Sequence, residues 1–293
     1  MKKTGKVGNY LKALLPFVMM LLIQTAVAVR SVVSYMLSYG IEKGEQMYQE
    51  NLGSTLLMSQ LVTLLVMAVW YYFAVIHKKK KEGLPDESLF GWKSAGGLLL
   101  IAVGTYFFSV FLLILWEIIS PRLFGEYELL MQEAELDSMT VLSFATAVAV
   151  APLAEELIFR GLTLQYLRRT GAAFWIVNVI QAFLFALAHL NLIQGSYAFL
   201  MGLLSGWLVM KYHSLWSGIL LHMILNFTGT LLPQLVDIVL GGMAGDAAGE
   251  PGLALKLGAA LIVILLGAAA YWFGFSAMKK DLTAKETADP VCL

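Results

Sequence analysis

Long apolar runs constrain this chain more than anything else in it: residues 11–37, 54–76, 94–118, 143–167, 172–192, 194–211, 214–235 and 255–277. A helix needs about 20 predominantly apolar residues to cross the hydrocarbon core of a bilayer, and most of these runs supply them. Over 293 residues the chain is 59% hydrophobic and 14% charged, against roughly 45–50% apolar usage in soluble domains. The expected fold is all-α, a polytopic integral membrane bundle of about eight transmembrane helices. It forms one membrane-embedded domain over 1–293, with 278–293 as a short cytoplasmic tail. The first run follows MKKTGK, is too long for the apolar region of a signal peptide and lacks a clear small-residue cleavage site, so it reads as a retained anchor.

Charge at the junctions supplies an orientation, because lysine and arginine are retained on the cytoplasmic side. Lys2, Lys3 and Lys6, the Lys78–Lys81 run, Arg168 with Arg169, Lys211, and Lys279, Lys280 and Lys285 go inside. The acidic loop IEKGEQMYQE, the loop 119–138 and the Gly-rich loop 240–253 go outside. Both termini are expected to be cytoplasmic. Trp70, Tyr71, Tyr72, Trp175, Tyr212, Trp216, Tyr271 and Trp272 fall near the same boundaries, as interfacial anchoring requires. A formal net charge of zero gives no reason to expect a nucleic-acid partner. The single cysteine, Cys292, excludes an internal disulfide and a multi-cysteine metal site. Gly202 and Gly206 form a GxxxG spacing that permits close helix contact.

Six polar residues remain that topology does not explain: Glu155, Glu156 and Arg160 in the fourth run, His189 in the fifth, and His222 with Asn226 in the seventh. Ionisable groups in a span are costly unless they face a cavity or one another, so these are expected to share one polar interior. Glu156 and Arg160 stand four apart and lie on one helix face, where the arginine neutralises and orients the carboxylate. Glu155 points about 100° away and is left less directly paired. His222 and Asn226 repeat the four-residue spacing, as do Phe185 and His189. Pro152 removes a backbone hydrogen bond beside the acidic pair and favours a kink.

By themselves these groups fit a structural network, a proton or ion path in a transporter, or hydrolysis. A carboxylate with a histidine can activate water, and a second histidine with an amide can donate to the oxyanion of a tetrahedral intermediate. Other hydrolytic chemistries are poorly served, since no G-x-S-x-G elbow occurs and no H-E-x-x-H spacing exists among the four histidines. His77 reads as interfacial, and His213 as the start of the seventh span.

"EELIFRG" from Glu155, "FALAH" ending at His189 and "HMILN" from His222 resemble the three motifs of the CAAX protease and bacteriocin-processing family. These are intramembrane glutamate endopeptidases that include the type II CAAX prenyl endopeptidases. The resemblance covers about 140–232, the catalytic core. It implies that Glu155 activates water with help from His189, that His222 and Asn226 stabilise the oxyanion, and that Glu156 and Arg160 support the first motif. It further implies an integral protein of a bacterial plasma membrane acting on a protein or peptide substrate, prenylated or bacteriocin-related, among membrane lipids. Membrane transport, or a non-enzymatic scaffold or immunity role, is the alternative. No cofactor is expected. Zinc held by Glu155, His189 and His222 is the alternative there, but a zinc-bound histidine nitrogen cannot also donate to an oxyanion.

One mismatch stands out. At about 1.5 Å per residue, Glu155 lies roughly 20 Å from Arg168, His189 about 27 Å from Gly171 and His222 about 12 Å from Ser214. Straight, upright helices ending where the runs end would not bring these groups together. A kink, a tilt or different helix ends must do so.

Overall fold

The computed structural model describes residues 3–82, 92–136, 140–236 and 252–288, and every regular element among them is helical. Helix α1 spans Lys3–Tyr39, α2 Ile41–Glu50 and α3 Leu52–Tyr71; α3 runs through a π-helical turn, Tyr72–Ile76, into α4, His77–Lys81. Helices α5 (Trp92–Ile119) and α6 (Pro121–Leu136) follow. A single rod then holds α7 (Val141–Ala145), a π turn (Thr146–Val150), α8 (Ala151–Glu156), a second π turn (Leu157–Thr163) and α9 (Leu164–Arg168). The chain closes with α10 (Phe174–Ala188), α11 (Leu192–Tyr212), α12 (Leu215–Val236) and α13 (Leu253–Ala288).

Among the described residues, Val7–Tyr39, Leu52–Lys81, Ser94–Ile119, Val141–Arg168, Leu192–Tyr212 and Leu253–Lys279 are long and apolar enough to cross a bilayer, and Phe174–Ala188 and Leu215–Leu231 are shorter apolar helices. Each apolar run of the sequence has become a helix, and the protein is a polytopic helical membrane bundle. The fifth run is the one whose helix stops short of the run's end. Its 15 residues in α10 span about 22 Å, short of a core about 30 Å thick. The chain breaks after His189, where Leu190 takes a left-handed φ of 51°, and Asn191 restarts it by accepting the N–H of Gln194 at 3.0 Å as the cap of α11. His189 therefore stands at the end of a short helix.

Two segments expected as loops are helices. IEKGEQMYQE is α2, and most of 119–138 is α6. Polar composition does not prevent helix formation where side chains four apart pair along the surface: Gln46 Nε2 donates to Glu50 Oε1 at 2.8 Å and Arg122 Nε to Glu126 Oε1 at 3.1 Å. The stretch set apart as a tail continues α13 as far as Ala288. Most of the 240–253 loop lies outside the described residues.

Glycine sets the helix contacts. Gly97 and Gly104 on α5 face Gly274 and Gly267 on the antiparallel α13; a Cβ at Gly274 would lie 3.0 Å from the Gly97 carbonyl, and one at Gly104 3.1 Å from that of Gly267. Tyr271 donates to Thr105 Oγ1 at 3.0 Å within this seam, and Lys256 meets Glu117 at 2.6 Å at its other end. Gly202 and Gly206 perform the same service for α11 against α10. A Cβ on Gly202 would stand 2.9 Å from that of Ala182, and the space beside Gly206 is filled by Asn178 and Gln181. Those two side chains, wholly buried, donate to the carbonyls of Leu203 and Gly202 at 2.9 and 2.8 Å. The GxxxG pair thus packs within the chain. Replacing Gly274 by Leu is expected to overpack the seam and cost about 1–3 kcal/mol, whereas Gly96→Ala, with nothing within 4 Å of its Cβ position, is expected to be neutral; thermal unfolding of the two variants in detergent checks this.

Candidate active site

The rod 141–168 is irregular on both sides of its two glutamates, and the irregularity has a chemical cause. Ala151 donates its N–H to Thr146, five residues back, as a π turn requires. Residue 152 is proline and has no N–H to give. The Ala147 carbonyl is thereby left by both residues that would ordinarily bond it, and Asn226 on α12 donates Nδ2 to it at 2.8 Å. Beyond the glutamates the second π turn begins, and Leu164 N–H returns to the Phe159 carbonyl. Helix α8 is a short regular segment held between two defects.

Glu156 lies at the centre of the cluster and is wholly buried. Its Oε1 is 3.0 Å from Arg160 Nη1 and 3.1 Å from His222 Nδ1, and its Oε2 accepts from Ser205 Oγ at 2.8 Å. A carboxylate only accepts, so His222 donates through Nδ1. The seat exists because residue 218 is glycine: a Cβ there would lie 2.6 Å from both Glu156 Oε2 and Ser205 Oγ. The following π turn, α11 and α12 thus each place a group on the carboxylate that α8 carries.

Phe185 joins the rest. The Arg160 guanidinium lies 4.5 Å over its ring, a cation–π arrangement that suits a cation away from water. The rings of His189, Phe159 and His222 meet it edge-on at 5.0, 5.2 and 5.6 Å. Its carbonyl is 2.9 Å from His189 Nδ1. Because a carbonyl accepts, Nδ1 carries the proton and Nε2 is left with its lone pair in the neutral ring.

Glu155 differs from its neighbour. Its side chain is 21% exposed, and Oε2 stands 3.7 Å from His222 Nε2, beyond a hydrogen bond. His222 therefore has a carboxylate opposite each ring nitrogen. Of the residues singled out in the sequence, Glu155, Glu156, Arg160 and His222 are in direct contact, His189 joins them through Phe185, and Asn226 is fixed one turn beyond His222 with an amide hydrogen to spare. His77 lies 6.4 and 6.3 Å from the rings of Tyr72 and Phe73, and His213 ends α11 in the left-handed conformation. Nothing in the sequence singles out Ser205, a short polar residue in an apolar run. Gly218 could have been found from its position four before His222, which puts it on the same face.

Among the described residues no three His, Cys, Asp or Glu side chains are gathered to hold a metal ion. His222 commits Nδ1 to Glu156, so Nε2, the nitrogen turned to Glu155, is the one through which it could meet a metal or an oxyanion.

Fold and site together define a polytopic integral membrane protein with a buried carboxylate–arginine–histidine cluster and a second, accessible carboxylate beside it. Residues 137–228 match the family model described as type II CAAX prenyl endopeptidase Rce1-like. That segment, under a third of the chain, carries every residue of the cluster, so the similarity to the family lies in this core. The match stops short of α1–α6 and α13. No curated protein and no solved structure matches. Removing Arg160 leaves a buried charge without its counter-ion, so Arg160→Ala is expected to cost about 3–5 kcal/mol. Glu155→Ala, at the accessible edge, is expected to change stability by less than about 1 kcal/mol; denaturant titration of the purified variants reads both.

Proposed function

We propose that this protein is an intramembrane endopeptidase that hydrolyses a peptide bond with water activated by Glu155. The observation that carries the reading is the division between the two adjacent glutamates: Glu156 is buried and committed to three partners, while Glu155 is accessible beside His222. In the reaction, Glu155 takes a proton from water, and His189 helps to orient that water through its free Nε2. The new hydroxide attacks the carbonyl carbon. The tetrahedral intermediate places its oxyanion against His222 Nε2–H and the spare Asn226 N–H. Collapse breaks the C–N bond, and the proton held by Glu155 passes to the departing amine. General-base assistance contributes about 10²- to 10⁴-fold, and each oxyanion donor about 3 kcal/mol. No step uses a metal.

The substrate is a protein or peptide presented from the bilayer, either a prenylated protein or a bacteriocin-related peptide. The scissile bond lies near the cytoplasmic leaflet of a bacterial plasma membrane, with both termini on that side. That orientation satisfies the positive-inside rule at each major junction.

With purified protein and a quenched fluorescent prenylated peptide, Glu155→Gln is expected to remove cleavage while leaving the unfolding temperature near that of the native protein. Asn226→Ala is expected to lower kcat about a hundredfold. Full activity after exhaustive chelation is expected; loss that zinc alone restores would contradict the metal-free route. In a Cys292→Ser background, Lys3→Cys and Lys285→Cys are expected to resist an impermeant thiol reagent applied outside intact cells, and labelling of either would reverse the orientation.

A further inference from the structure

Glu156 has more partners than counter-charge pairing requires. Arg160 Nη1 at 3.0 Å supplies the counter-charge. Yet the same oxygen also receives His222 Nδ1 at 3.1 Å, the other oxygen receives Ser205 Oγ at 2.8 Å, and Gly218 leaves the space both need. The extra contacts converge on one outcome, the orientation of a single imidazole.

We infer that Glu156 is a positioning residue that acts through His222, holding Nδ1 as a donor so that Nε2 is the nitrogen turned to Glu155 and the reacting carbonyl. The inference rests on the endopeptidase reading and assigns the second glutamate a part in it. The alternatives for the ring are few. An imidazole that is free to flip exchanges Nδ1 and Cδ2 positions and presents a carbon where a donor is needed, and one that is free to change tautomer can place its proton on either nitrogen. Glu156 removes both freedoms, because an acceptor at 3.1 Å selects a protonated nitrogen on that side. Phe185 packs against the imidazole, with its ring 5.6 Å away and at 84° to it. The oxyanion role asks a donor of Nε2 as well as Nδ1, so the ring serves that role with both nitrogens protonated, a carboxylate standing opposite each.

The surroundings of His222 are simple enough for this to be decisive. The charged and titratable groups that face it are Glu155 and Glu156 from α8, with Arg160 behind Glu156 and His189 behind Phe185. Helix α11 contributes an uncharged hydroxyl, that of Ser205, to the same carboxylate. Arg160 does not reach His222 in place of Glu156; its other contacts are the Phe185 ring and Met201 Sδ, at 3.6 Å.

The test uses the full-length protein in detergent or nanodiscs, with histidine-selective nitrogen NMR beside steady-state kinetics on the prenylated peptide. In the native protein the His222 Nδ1 signal, assigned by its loss in His222→Gln, is expected to be that of a protonated nitrogen. In Glu156→Gln, which keeps shape and removes charge, an unprotonated Nδ1 signal is expected, with kcat lowered by at least about tenfold and KM changed by less than about threefold. Should Glu156→Gln fail to fold, Ser205→Ala loosens the same carboxylate while leaving every charge in place, and a smaller change of the same kind is expected. A native-like Nδ1 signal together with native kcat in either folded variant overturns the inference. Loss of the reading beneath it looks different: cleavage that survives Glu155→Gln removes the endopeptidase mechanism, whereas the NMR readout of Glu156 needs no activity at all.

Discussion

A carboxylate with no exposed surface, inside a helix that crosses a membrane, can persist only if its charge is answered where it stands. The cost of an ion in hydrocarbon is several kcal/mol even after local relaxation. Glu156 meets that constraint with groups drawn from three other segments of the bundle: Arg160 from the next turn of its own rod, Ser205 from α11 and His222 from α12. Much of the core's arrangement follows. Helix α12 must approach α8 closely enough to bring His222 to the carboxylate, and glycine at 218 is what lets it. Arg160, itself wholly buried, then needs an aromatic face and finds Phe185, which fixes where α10 lies. His189 follows because it is one turn from Phe185.

The main chain takes part in the same arrangement. In a bilayer a helix cannot leave a carbonyl unbonded without cost, so a proline in the middle of a crossing rod demands a donor from elsewhere. Here the π turn before Pro152 shifts the unmet carbonyl to Ala147, and Asn226 answers it. One amide hydrogen thus secures α12 to the rod one turn from His222. The residue that repairs the helix is also one that the proposed chemistry uses, so a kink and a site share a single origin.

The sequence carried some of this and concealed the rest for physical reasons. The apolar runs were legible as helices because length and hydropathy decide insertion. The Glu156–Arg160 pairing could be drawn from spacing alone, since residues four apart share a face. The expected kink at Pro152 took the form of π turns on both sides of α8, which composition does not reveal. The end of α10 at Ala188 was hidden because FALAHLNLI has no Pro or Gly and is apolar apart from His189 and Asn191, and the left-handed turn at Leu190 and the Asn191 cap divide it. Polar stretches such as IEKGEQMYQE were legible as breaks between apolar runs but not as helices. Ser205 was silent because its importance lies in what distant helices do around it, and Gly218 was marked only by its spacing from His222. The heptad-spaced glycines of α5 and α13, by contrast, are visible in the sequence once the two helices are known to be partners.

The account's central claim is that two adjacent glutamates divide their labour around one histidine, the buried one holding it and the accessible one meeting water. The most direct measurement is an experimental structure of the protein bound to a phosphinate peptide, whose tetrahedral phosphorus imitates the carbon under attack. The account predicts one phosphinate oxygen between His222 Nε2 and Asn226 Nδ2, the other against Glu155 within reach of His189, and Glu156 still on Arg160, Ser205 and His222. A phosphinate seated elsewhere, or held with Glu156 displaced from His222 and in contact with the inhibitor, would contradict it.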